Sequence, residues 1–305
     1  MHRANQIELD QLFERLVSSR RLIDLIAAAL AEDLQAAGDV TSTLSIDRAS
    51  VSRAAIRARA GGCISGAKVA ALVAKQRPGI DVAIDRADGS IVEPGGVIMR
   101  LRGPTRWVLE VERTLLNFLT HLSGIATLTR RFVNAVADTQ AKVYDTRKTL
   151  PGYRALAKYA VRCGGGHCHR MGLHDAVLIK DNHMAAMGGR IDAVLKRIVA
   201  AAAERQPRPS FVEVEVDTLD QLEQVLGVDG VDIVLLDNMA SEQLRAAVAL
   251  RDDQAPGVQL EASGGVTLET AAAVAATGVD RIAIGALTHS APALDLGLDF
   301  EPADP

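Results

Sequence analysis

An incomplete parallel α/β barrel, preceded by a smaller α+β domain, is the fold class that this chain predicts. Three observations predict it. From about Lys142 to Ala286, short apolar runs alternate with amphipathic helical ones. Each apolar run ends on a charged, hydroxyl or glycine residue: Asp145, Lys180, Glu215, Asp237, Ser263 and Gly285. Before Trp107 the texture differs, with short segments broken by GG and PGG turns.

The elements follow in order. "LDQLFERLVSSRRLIDLIAAALAEDL" spaces apolar residues by three and four, which predicts helix over residues 8–34. "GDVTSTLS" breaks that pattern. "SRAAIRARAGGCISG" and "GSIVEPGGVIMRLRG" read as strands around glycine turns, and "AKVAALVAKQ" between them as a helix. "RWVLEVERTLLNFLTHLSGIATLTRRFVNAVAD" reads as one or two helices with a break at Ser123–Gly124. The later strands are "KVYDT", "AVLIKD", "FVEVEVD", "IVLLDN", "VQLEAS" and "RIAIGA". Among the helices between them are "RIDAVLKRIVAAAAER", "TLDQLEQVL", "SEQLRAAVALR" and "TLETAAAVAATG". Such alternation builds right-handed βαβ units and a parallel sheet. In a parallel barrel all strand ends open onto one face, where active sites sit. Fewer than eight strands make the barrel incomplete. An open doubly wound sheet is the alternative, but no GxGxxG follows the first strand. The small domain is placed at 1–116, completed by the tail 288–305, and the barrel at 117–287.

Composition narrows the function. The chain has 305 residues, 48% apolar but only 3% aromatic, so its core is built of Ala, Val, Leu and Ile. A net charge of −4 argues against a nucleic-acid binder, which needs a broad basic face. The N-terminus shows no secretory h-region, and "LIDLIAAALAEDL" is too short and too acidic to span a bilayer. Three cysteines, an odd and sparse set, fit a reducing cytoplasm.

The motifs point to an anionic ligand. Residues 150–183 carry five Lys or Arg and four of the chain's seven histidines around a Gly-Gly-Gly turn. "YDTRKTLPG" places Thr146, Arg147 and Lys148 after a strand. Arg grips a carboxylate or phosphate with its fork, while Lys acts as a point charge. "GGGHCHR" presents His169 and Arg170 to an anion and leaves Cys168 as a buried thiol. A zinc site there lacks a second Cys/His pair. Lys180, in "AVLIKDNH", serves equally as an anion ligand or as a Schiff-base amine. Glu215 and Asp237 end consecutive strands, close enough to share a magnesium ion or stabilise a positive charge. Glu213 shares a strand face with Glu215, which leaves the choice between them open. "EASGGVTLET" and "AIGALTHS" are glycine loops after the last two strands, the usual phosphate site of such barrels.

With those residues in view, the chain resembles the nicotinate-nucleotide pyrophosphorylase, or quinolinate phosphoribosyltransferase, family. "ERTLLNFLTHLSGIATLT", "DTRKTLPGYR", "KYAVRCGGGHCHRMGLHDAVLIKDNH", "VEVEVDTLDQL", "VLLDNM", "ASGGV" and "GVDRIAIGALTHSAPALDLGLDF" occur in that order, with "LAEDLQAAGDVTS" near the start. The resemblance implies transfer of phosphoribosyl from phosphoribosyl pyrophosphate to quinolinate, releasing pyrophosphate and CO2, with Mg2+, in NAD biosynthesis. It implies an α/β sandwich beside an incomplete barrel, and a homodimer open to higher assembly. It assigns Arg113, Thr146, Arg147, Lys148, His169, Arg170 and Lys180 to quinolinate and ribose phosphate, with Arg113 crossing the dimer interface. It assigns Glu215 and Asp237 to the ribose and to the metal, bound directly or through water or pyrophosphate. Lys148, Lys180, Glu215 and Asp237 form its catalytic set. Ser263, Gly264, Gly265, Val266, Gly285, Ala286 and Leu287 hold the 5′-phosphate. The motif departs from the family at Cys168, where Asn is usual, with His167 before it. Rival readings are a relative taking another acceptor, as in molybdenum-transport-associated members, a Schiff-base aldolase using Lys180, and a non-catalytic sensor of a phosphorylated metabolite.

Overall fold

A computed structural model describes residues 3–17, 20–188 and 190–302. The helical reading of 8–34 includes residues 18 and 19, and the tail 288–305 includes 303–305. These residues lie outside the described ones, as do residues 1 and 2 and Gly189. The chain divides into two compact units.

One unit comprises Ile7–Arg130, Ala155–Gly165 and Ser290–Pro305. Its helices are α1 (Leu9–Leu12), α2 (Arg20–Leu34), α3 (Val40–Ser45), α4 (Ala67–Ala74), most of α5 (Thr105–Ala135) and α6 (Arg154–Cys163). Its strands are β1 (Val51–Ala58), β2 (Gly62–Cys63), β3 (Asp81–Ile84), β4 (Ile91–Val92), β5 (Val97–Pro104) and β12 (Leu296–Glu301). The main sheet runs β12-β1-β5-β3, all antiparallel. The C-terminal strand therefore lies along β1, from Arg53 against Glu301 to Ala58 against Leu296.

Three features here differ from the sequence reading, each for a physical reason. "GDVTSTLS" contains α3 rather than a plain break, because the Asp39 carboxylate accepts the Ser42 N–H at 3.0 Å and caps the helix. Helix α5 runs unbroken through Ser123–Gly124 and across 116–117, so no linker falls there. Gly124 is a packing feature: a Cβ on it would overlap the Pro292 carbonyl. Ser123 Oγ accepts the Ser65 N–H at 3.1 Å. Helix α6 stands where the reading had placed no element. It buries Tyr159, whose hydroxyl donates to Asp88 at 2.9 Å.

The other unit comprises Met1–Gln6, Arg131–Arg154 and Gly166–His289. Its strands are β6 (Lys142–Tyr144), β7 (Val177–Ile179), β8 (Val212–Val216), β9 (Ile233–Asp237), β10 (Gln259–Ser263) and β11 (Arg281–Ala283). Helices α7 (Asp181–Met187), α8 (Ile191–Glu204), α9 (Leu219–Leu226), α10 (Ser241–Gln254), α11 (Leu268–Ala275) and α12 (Ala286–His289) alternate with them. The strands form one parallel sheet in the order β6-β11-β10-β9-β8-β7. This is the incomplete barrel. Its strand interiors, such as Val214, Val234, Leu236, Leu260 and Ile282, are buried aliphatics. No described helix is long and apolar enough to cross a membrane.

Candidate active site

The strand ends of the barrel unit enclose a cavity of about 790 Å³. Its lining draws on every strand end named from the sequence except Asp145. The turn after β6 supplies Thr146, Arg147 and Lys148; β7 ends at Lys180; β8 and β9 bring Glu215 and Asp237. The loop after β10 supplies Ser263, Gly264, Gly265 and Val266, and that after β11 supplies Gly285 and Ala286.

His169 and Arg170 complete the lining, and the backbone explains how they arrive. His167 N–H donates to Val143 O at 2.8 Å and Asp145 N–H to His167 O at 3.0 Å, so this segment extends the sheet beside β6. The buried Asp145 carboxylate then accepts the His169 N–H at 2.8 Å. Cys168, the departure from the family motif, is fully buried. Its N–H donates to Asn5 Oδ1 at 2.8 Å, and Asn5 Nδ2 donates back to its carbonyl at 2.9 Å. One distant amide thus pins the backbone immediately before His169.

The rim of the cavity is half-exposed and polar. Lys180 Nζ donates to Glu215 Oε2. Asp237 accepts Asn238 Nδ2 at 2.7 Å. Asn238 adopts φ 54° and sends its N–H to Ser263 O at 2.9 Å, joining the acid of β9 to the glycine loop of β10. Gly264 needs its missing side chain: φ is +96°, and a Cβ would overlap Asn238 Oδ1. Thr288 Oγ1 donates to the Lys148 carbonyl at 2.7 Å, tying the β6 turn to α12. Arg147 Nε is buried with no hydrogen-bond partner, a donor left for a ligand.

Below the rim the barrel floor is charged and closed. His169 Nε2 lies 2.8 Å from Glu213 Oε2 and 3.2 Å from Glu261 Oε1. Both carboxylates are fully buried. Arg281 Nε donates to Glu261 Oε2 at 2.7 Å, and its guanidinium stacks 3.8 Å from the Tyr144 ring centre. Burial opposes charge on His169, but Glu261 and Glu213 outweigh it and push the imidazole up to about 10. Burial likewise opposes charge on Glu261, yet His169 and Arg281 hold it at about 2. Burial, together with repulsion from Glu261, raises Glu213. Arg170 is pulled down by burial and by the nearby Arg147.

The structure separates the two acids left open on β8. Glu215 reaches the cavity, whereas Glu213 points into the floor. Leu287 is fully buried in α12 and does not line the cavity. Arg113 lies exposed on α5, in the other unit, and is not among the lining residues. Its neighbour Glu110 is taken by Arg77. The sequence reading missed Asn238 and Glu261, which line the cavity, and Arg281 beneath Glu261. An Asn directly after an acidic strand end and a Glu inside the apolar run "VQLEAS" were the available signals.

Two donor sets could hold a cation. Glu215 and Asp237 are half-buried carboxylates that each keep lone pairs after one hydrogen bond, which suits a hard ion retaining water and phosphate ligands. His169, Glu213 and Glu261 offer ligand atoms within 4.8 Å of one another, but Arg281 already occupies Glu261. The His167–Cys168–His169 run gathers no set of its own among the described residues.

Comparison with known proteins gives a consistent result. Residues 39–123 match the family model "Quinolinate phosphoribosyl transferase, N-terminal domain", and residues 125–299 match the model of its C-terminal domain. A Mycobacterium leprae protein named nicotinate-nucleotide pyrophosphorylase [carboxylating] is 47% identical over 280 residues, 91% of this chain and 96% of that one. A Bacillus subtilis protein, named as a probable enzyme of the same kind, is 43% identical over 71% of this chain and 72% of its own. The solved structure of the nicotinate-nucleotide pyrophosphorylase from Francisella tularensis superposes with a TM-score of 0.83 at 36% identity, covering 98% of this chain and 99% of that one.

Proposed function

The chain belongs to the quinolinate phosphoribosyltransferase family, and from that premise we propose how its barrel mouth divides the family's work. The reaction is transfer of phosphoribosyl from phosphoribosyl pyrophosphate to quinolinate, with loss of CO2, giving nicotinate mononucleotide and pyrophosphate. One observation carries the assignment of roles. Five basic residues (Arg147, Lys148, His169, Arg170 and Lys180) converge on a cavity that also holds three carboxylates (Glu215, Asp237 and Glu261) and two glycine loops.

His169, Arg170 and Arg147 take the two carboxylates of quinolinate, and the unpaired Arg147 Nε is a donor for one of them. The loops at Ser263–Val266 and Gly285–Ala286 receive the 5′-phosphate through backbone N–H groups. Leu287 adds only its backbone, since its side chain is buried. As the C1–O bond to pyrophosphate breaks, positive charge builds on the ribose, and Glu215 and Asp237 stabilise it. Lys148 and Lys180 neutralise the departing oxygens. Glu215 and Asp237 would hold a magnesium ion, directly or through water or pyrophosphate, and the ion would supply further neutralisation of that leaving group. The quinolinate nitrogen attacks C1 with its own lone pair, so no base is needed. The pyridinium nitrogen so formed draws in the electron pair of the C2–carboxylate bond. CO2 departs, and a proton takes its place on the ring.

The direct test mixes protein, quinolinate carrying labelled 2-carboxylate, phosphoribosyl pyrophosphate and Mg2+. Stoichiometric labelled CO2 and nicotinate mononucleotide are expected. Pyrophosphate release without them would point to another acceptor. Borohydride trapping of Lys180 would point to the aldolase reading.

Arg113 has a part in the same reading. It is exposed, it is not paired with Glu110, and the family motif makes it a quinolinate ligand. We place it in the partner's site within a homodimer. Mixing inactive Arg113→Ala chains with inactive Lys148→Ala chains then restores activity, because each heterodimer has one intact site. Demonstrable heterodimers without activity would contradict this. Three buried free cysteines support a cytoplasmic setting.

A further inference from the structure

The barrel floor holds more ionic machinery than the assigned roles use. Glu213 and Glu261 have no part in those roles, yet both are wholly withdrawn from water. A buried carboxylate is costly unless something charged repays it. Arg281 repays one of them, through the bond to Glu261 and the Tyr144 stack. The other carboxylate faces the ring of His169, and its Oε1 has no hydrogen-bond partner among the described residues.

We propose that Glu213 and Glu261 are positioning residues which together seat His169 so that it meets a quinolinate carboxylate as a fully protonated, double N–H donor. The inference rests on the reading that His169 is a quinolinate ligand. Three features of the ring's seat lead to it. His169 commits Nε2 to the two carboxylates, which leaves Nδ1 for the cavity that the ring lines. A neutral ring donating from Nε2 would turn a bare Nδ1 lone pair toward an anion. Glu213 and Glu261 close on the same ring nitrogen, at 2.8 Å and 3.2 Å, so both acids bear on one imidazole.

The remaining neighbours hold the ring without changing that balance. From β6 and its turn, the Asp145 carboxylate is bonded to the His169 backbone, while Tyr144 stacks on Arg281. Phe211 meets the imidazole edge-on at 5.4 Å between centres. Arg170 and Arg147 stand on the ligand side, and Lys180 is tied to Glu215. The same three donors could instead clasp a metal ion, but Arg281 sits 2.7 Å from Glu261 and places a fixed cation where the ion would need its charge.

The test uses full-length protein with 15N-labelled histidine, without phosphoribosyl pyrophosphate. At pH 8 the His169 signal, identified by its loss in His169→Gln, should show two protonated nitrogens. In Glu213→Gln it should show one. Quinolinate affinity at pH 8 should fall about tenfold to a hundredfold in Glu213→Gln, the range seen when a carboxylate orienting a histidine is removed. It should recover in Glu213→Asp and at pH 6. A neutral His169 in the wild-type protein overturns the proposal even if no variant folds. So does unaltered quinolinate affinity in a folded Glu213→Gln, or a stoichiometric divalent ion that this variant loses. Unaltered affinity in His169→Gln instead defeats the reading of His169 as a ligand, while the nitrogen signals still decide the seat.

Discussion

Glu213 and Glu215 stand two residues apart on one face of β8, and the chemistry around them is opposite. Glu215 lies at the rim, bound to a half-exposed lysine. Glu213 lies in the floor, fully buried, facing His169. On β10 the same two-residue step separates Ser263 at the phosphate loop from buried Glu261. The rim joins glycine loops, lysines and two carboxylates, the set to which phosphate and pyrophosphate are assigned in the proposed function. The floor is a buried ionic cluster that reaches the cavity through His169 and Glu261. One barrel thus carries two electrostatic environments, set by depth rather than by residue type.

The largest expected effect probes the cations assigned to quinolinate, His169 of the floor with Arg147 and Arg170 beside it. Nicotinate lacks the second carboxylate and would leave buried donors such as Arg147 Nε unpaired. Sites built for such partners reject analogues without them by about 10⁴-fold. Comparable kcat/KM for nicotinate and quinolinate would erase the distinction drawn here.

Next comes the rim. Asp237→Asn keeps the shape but removes a charge, and kcat should fall by about 10²- to 10³-fold, as when one electrostatic partner of a transition state is lost. Quinolinate binding should not change. Normal turnover at low Mg2+ would make Asp237 a structural acid.

A smaller effect is expected at the joint between β9 and β10. Gly264→Ala forces a side chain into a left-handed turn against Asn238. Strain of the size such residues carry should raise KM for phosphoribosyl pyrophosphate about tenfold. An equal rise in KM for quinolinate would show that the rim and floor are not separable.

The smallest effect is in pH. The folded His169 value, about 10, lies above its ordinary 6.5. Its contribution to stability is therefore fully present below pH 6.5 and is lost as pH rises through about 10. Thermal melts should decline over that window, and less so in His169→Gln. Glu261, at about 2 against 4.5, acts in the other direction. Its contribution is present above pH 4.5 and is lost as pH falls through about 2.

Much of the rim was legible in the sequence because strand-end residues announce themselves. Arg147 and Lys148 follow an apolar run directly, and the glycine loops follow two more. Period two placed Glu213 and Glu215 on one face, but alternation carries no depth, so the floor stayed hidden. Glu261 and Arg281 look like ordinary strand residues until the sheet brings β10 and β11 side by side. Local signals also misled where packing decides. Ser123–Gly124 resembles a helix break, yet it is the point at which α5 makes room for the chain at Pro292. Asn5 could not be linked to Cys168 by any pattern, being 163 residues away.

The most direct measurement compares quinolinate binding, without phosphoribosyl pyrophosphate or Mg2+, in His169→Gln and Asp237→Asn. The account predicts that the floor variant loses most of its affinity while the rim variant binds like the unaltered protein. The opposite order, with Asp237→Asn weakened and His169→Gln intact, would contradict it.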